Sequence, residues 1–136
     1  MGIRWTWLMG DPFLDCASWQ AMLDREDLPA SDAHVGVLRR EAFASRHGKL
    51  LVWRGTKDGV RVSLREYNGE PGADVAVLLV ADDEAVQALL AEGLPKVPLL
   101  VRRGKLHPYM LMAMEQLEDN RLADFVEDLG LAFPKH

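Results

Sequence analysis

The chain has 136 residues, 49% of them hydrophobic and 27% charged, with a formal net charge of −5. A chain of this size forms one domain, 1–136, burying roughly two thirds of the surface its unfolded form exposes. The apolar share excludes intrinsic disorder and collagen-like sequence, and a single cysteine, Cys16, excludes an internal disulfide or a thiolate metal cluster within one chain.

No apolar run approaches the roughly 18 residues of a bilayer span, and no signal-peptide pattern opens the chain, so a cytoplasmic location is expected with no membrane contact. The opening MGIRWT fits the loose N-myristoylation pattern, but the same residues make a good strand. Charge is segregated along the chain: −4 over residues 1–34, +4 over 35–70, −5 over 71–95, +4 over 96–107 and −4 over 108–136. The acidic total argues against nonspecific nucleic-acid binding, which depends on phosphate neutralisation.

In chain order, Ile3, Trp5, Trp7 and Met9 alternate with Arg4, Thr6 and Leu8, which predicts a strand over 3–9. Asp15 is a candidate N-cap for a helix reaching Glu26 that carries Cys16, Trp19, Met22 and Leu23. The spacing of Val35, Leu38, Ala42 and Phe43 predicts a helix over 32–46, with a short strand at 34–38 as the alternative because of Gly36. Leu50–Arg54 and Val60–Glu66 read as a hairpin across Gly55-Thr56-Lys57-Asp58-Gly59, its second strand dry at Val60, Val62 and Leu64 and cationic at Arg61 and Arg65.

Val75–Val80, VAVLLV, predicts a strand buried on both faces, and Asp82 and Asp83 open a helix that Gly93 closes. Val97–Arg102 reads as another strand, which would complete a β-α-β unit over 75–102, right-handed if the strands are parallel neighbours. His107 and Pro108 read as the N-cap and first residue of a helix to about Glu118, with Met110, Met112 and Met114 as core, and a short helix follows over Leu122–Leu129. The resulting fold class is α+β: a mixed, mainly antiparallel sheet of about five strands with helices packed on it and a C-terminal helical hairpin.

Common catalytic motifs are missing, the four histidines are far apart, and neither a metal site nor a cofactor is expected. Cys16 is the one candidate nucleophile, placed in the first turn of a helix where the dipole lowers a thiol pKa, although adjacent Asp15 opposes a thiolate. A strand, a cysteine opening a helix, and a later β-α-β unit with Pro98 at the start of a strand resemble the layout of thioredoxin-like α/β proteins over residues 3–27 and 75–105. That resemblance implies a redox or thiol-dependent function; the Cys-x-x-Cys of those proteins is absent here, because Ser18 and Trp19 follow Cys16.

Two cationic stretches are the candidate binding sites. Arg61 and Arg65, with Trp53 or Arg54 across the hairpin, suit an anionic partner or single-stranded nucleic acid held by stacking and charge. Arg102, Arg103, Lys105 and His107, beside the free amides expected at a helix start, suit an anion or an acidic protein patch. The function expected is a small acidic non-enzymatic protein-binding module of the immunity, antitoxin or chaperone-adaptor kind. Its partner would be another protein, or a second copy in a homodimer. A thiol-dependent enzyme using Cys16 is the alternative, and single-strand nucleic-acid binding through the 49–65 hairpin is a third reading.

Overall fold

The computed structural model describes residues 11–130; the strand and the myristoylation pattern read at the N-terminus lie outside them. Five strands form one mixed sheet: His34–Arg39 (β1), Gly48–Thr56 (β2), Gly59–Tyr67 (β3), Val75–Ala81 (β4) and Leu106–Met110 (β5), in the order β3-β2-β1-β4-β5. β1 and β4 run parallel and every other neighbouring pair is antiparallel. The helices are Cys16–Leu23 (α1), Arg40–Ser45 (α2), Asp83–Glu92 (α3), Val97–Arg102 (α4), Met114–Asp119 (α5) and Ala123–Asp128 (α6). The expected α+β class and the C-terminal pair of helices are therefore found.

Several elements form where local chemistry points. Asp15 caps α1 by accepting from the Ala17 amide at 3.1 Å, and Asp82 caps α3 by accepting from Ala85 at 2.8 Å. The β2–β3 turn is closed by Thr56, whose Oγ1 accepts from the Asp58 amide and donates to the Gly59 carbonyl. All seven residues of β4 are buried, as continuous apolarity requires of a strand covered on both faces. One face carries Val35, Val37, Leu51, Trp53, Val77 and Leu79 against Trp19, Leu23 and Leu89 of the helices; the other carries Leu38, Leu50, Val52, Leu78 and Val80, with Ala42 of α2 packed on it. No helix among the described residues is long and apolar enough to cross a membrane.

Three sequence readings are overturned. Residues 32–46 are not one helix: 34–39 form β1 and the helix begins at Arg40. Hydrogen bonding to β2 and β4 on both sides outweighs the helical spacing, and Gly36 suits the crowded centre, where a Cβ would meet Leu50 Cδ1 at 3.1 Å and Leu78 Cδ1 at 3.3 Å. Val97–Arg102 is helix α4, not a strand. Pro98 fits its first turn, and Val97 and Leu100, three residues apart, both enter the core. So short an apolar run has no periodicity that tells strand from buried helix.

The third reversal is at residues 106–110, which form strand β5 where a helix from Pro108 was expected. The Leu111 amide donates to the Ala76 carbonyl, so residues 107, 109 and 111 bond to β4 while 106, 108 and 110 point to the free edge. Proline is tolerated there because its missing N–H is one that the sheet does not use. The methionine run is then not a buried helix: Met110 and Met112 are half-buried, and Leu111 and Met114 are exposed. With α4 in place of a strand, 75–102 is not a β-α-β unit and Pro98 starts no strand. The thioredoxin-like alternative loses its second segment.

Candidate interaction surface

The sheet sorts the cations into those neutralised within the chain and those left over. At the carboxyl ends of β1 and β4, Arg39 pairs with Asp11, lies 3.6 Å from Asp83, and stacks 4.7 Å above the Phe13 ring. The hydrogen bond from Arg39 holds the Asp11 carboxyl below the usual carboxylate range. Lys105 sits 2.9 Å from Glu84 and 3.9 Å from Asp82, and its hydrogen bond to Glu84 raises its pKa. Lys105, a candidate partner-binding residue by sequence, is thus committed to the start of α3.

Arg65, another sequence candidate, is also committed. Its guanidinium grips Asp74 in a two-pronged pair at 2.8 and 2.6 Å, and that hydrogen bonding carries the Asp74 pKa down to about 2. His34 Nδ1 lies 3.2 Å from the same carboxylate without the alignment of a hydrogen bond. Burial, with the Arg65 and Arg54 charges, lowers the His34 pKa against the pull of Asp74. Lys49 pairs with Glu66 across the hairpin. Trp53 is no surface stacking platform: it is 1% exposed and stacks on Trp19 at 6.4 Å, because strand alternation turns it to the face opposite Arg54 and Arg61.

Arg102, Arg103 and His107 are exposed, and no described carboxylate lies within ion-pair distance of the two arginines. The expected helix start beside them is absent: Arg102 ends α4 and His107 lies in β5, so the anion-binding amides of that reading do not exist. A different feature joins them. Of the large apolar side chains exposed among the described residues, Phe43 lies in α2, Tyr109 in β5, Leu111 just after β5 and Met114 at the start of α5.

Phe43 and Tyr109 stack with centroids 5.3 Å apart, and His107 lies 6.4 Å from Tyr109 on the same strand face. Arg40 ties α2 to this edge by donating to the Gly104 carbonyl, in the turn that Arg103 opens. The result is a partly apolar strip whose one end adjoins the turn at Arg103 and Gly104. Sequence reasoning missed the pair because it placed Tyr109 on a helix and the whole hairpin separates it from Phe43; only the β1–β4–β5 register brings them together.

Cys16 is half-buried in the first turn of α1. Beside it the Asp15 carboxylate accepts from the Ala17 amide at 3.1 Å and from the Ser18 hydroxyl at 2.7 Å. No group of three or more His, Cys, Asp or Glu suited to a metal ion occurs among the described residues.

No family model matches the chain, and no curated protein matches it. Two solved structures are similar in part. One is the crystal structure of sterol carrier protein 2, 15% identical, with 84% of this chain and 92% of that chain covered and a TM-score of 0.46. The other is the solution structure of a conserved hypothetical protein of Thermus thermophilus, given as a possible sterol carrier protein, 16% identical, with 90% and 92% covered and a TM-score of 0.44. Likenesses at this level carry no argument about function.

Proposed function

We propose that this chain is a non-enzymatic cytoplasmic binding module, of the immunity, antitoxin or chaperone-adaptor kind, that docks an acidic and partly apolar segment of another protein on the α2–β5 strip. The observation that carries the reading is the exposed stack of Phe43 on Tyr109, at an edge that Arg40 ties to the Gly104 turn next to Arg103, which has no ion-pair partner among the described residues. Aromatic side chains with few rotatable bonds anchor interfaces, and rim cations steer an acidic partner and set its orientation. Pro108 withholds a donor from the middle of the free edge, which favours docking on the face over addition of a strand.

The test compares wild type with Tyr109→Ala and with Arg102→Ala/Arg103→Ala as baits in the native lysate at low salt. A stoichiometric partner retained by wild type is expected to be lost from Tyr109→Ala, and its association rate is expected to fall in the double variant. Partners equally retained by all three baits, or none at all, would overturn the reading.

A further inference from the structure

We propose that the groove between the β2–β3 turn and the turn joining α5 to α6 is a second site, separate from the α2–β5 strip, that binds a small hydroxylated phosphate ester. Its core is an unfavourable arrangement. Arg54 and Arg61 are direct cross-strand partners on one face, where like charges repel. Lys57 and Arg121 line the same groove, and no described carboxylate lies within ion-pair distance of any of the four. Of the ten other described cations, Arg39, Arg40, Lys49, Arg65, Lys96 and Lys105 have carboxylates at that range, and Arg25, Arg46, Arg102 and Arg103 do not. An oxyanion seated between Arg54 and Arg61 turns their repulsion into shared hydrogen bonding.

The groove is also built. Gly55 lets residues 29–31 lie against β2: a Cβ there would sit 2.2 Å from the Pro29 carbonyl oxygen. That approach lets the Ser31 amide donate to the Gly55 carbonyl at 2.9 Å, and the Ser31 carbonyl accept from Arg54 Nη1 at 3.2 Å. Arg54 is therefore half-buried and held in place before any ligand arrives. Across the groove Arg121 holds a left-handed backbone, φ 63°, after the last turn of α5, where the Leu122 amide reaches back to the Leu117 carbonyl.

Size and charge narrow the ligand. The groove is open to solvent, and its volume of about 620 Å³ is within the range of small-molecule sites. Asp32, Asp58 and Asp119 also line it, repelling an extended acidic surface or a polynucleotide while accepting hydrogen bonds from hydroxyls. Four donors for a phosphate with three acceptors for hydroxyls match an ester of a polyol better than they match the bare anion.

The test is an amide-resonance NMR titration at low salt with ribose 5-phosphate and, separately, inorganic phosphate. Saturable shifts are expected at residues 54–61 and 119–121, with the ester binding more tightly than phosphate. Arg61→Ala is expected to weaken the ester by about tenfold or more while leaving the thermal midpoint unchanged or raised, since it removes a repulsion. Arg102→Ala/Arg103→Ala is expected to leave the titration unchanged, which separates this site from the docking strip. Absence of saturable binding, equal affinity for both probes, or loss of binding in the double variant and not in Arg61→Ala would each overturn the proposal.

Discussion

Replacing Asp74 with Asn removes a charge from the pair that ties β3 to the start of β4. The drop of the Asp74 pKa from 3.8 to about 2 corresponds, at about 1.4 kcal/mol per pKa unit, to roughly 2 kcal/mol. The carboxylate side chain is 43% exposed, so solvent screening brings the expected loss to about 1 kcal/mol at pH 7. The sign follows from the direction of the shift. A carboxyl whose folded pKa lies below its unfolded value binds fewer protons when folded, so its contribution is complete above about pH 5 and fades as the pH falls toward 2.

Urea unfolding of wild type and Asp74→Asn at pH 7 and at pH 3, read by tryptophan fluorescence, measures this directly. The gap between the two proteins is expected to narrow at pH 3 with m unchanged. A gap that is the same at both pH values would refute the electrostatic account and assign Asp74 a purely geometric role.

Three further substitutions probe the packing. Gly55→Ala forces a Cβ against the Pro29 carbonyl and is expected to cost about 2 kcal/mol, seen as a lower denaturation midpoint, because the obstacle is backbone and cannot rotate away. Trp53→Ala empties the stack with Trp19 and is expected to cost about 3–5 kcal/mol; a loss below about 1 kcal/mol would mean that Trp53 is not a core side chain. Pro108→Val restores an N–H at the middle of the free β5 edge. It is expected to produce concentration-dependent self-association by light scattering, and a strictly monomeric variant would show that the proline does not guard that edge.

Elements whose signal is local were legible in the sequence. The Asp15 and Asp82 caps, the 55–59 turn with its alternating second strand, and the uniformly apolar β4 each depend on residues that contact their own neighbours in the chain. These were enough for an α+β class and for three of the five strands, β2, β3 and β4; the expected strand at 97–102 is helix, and β5 stands where a helix was expected. Short apolar runs were not legible, since VGVL at 35–38 and VPLL at 97–100 offer either element a dry surface. The first became strand and the second helix according to which partners lay beside them.

Candidate residues divided the same way. That Arg61, Arg102 and Arg103 are exposed cations could be read from pattern alone, and they remain so. Which cations are neutralised could not, because Arg65 meets Asp74 and Lys105 meets Glu84 only once the chain has folded back on itself. The stacking of Phe43 on Tyr109 across 66 positions of sequence, and of Trp53 on Trp19 inside the core, belong to the same class. Sequence pattern determines the period and polarity of each segment; sheet register alone determines which distant side chains share a face.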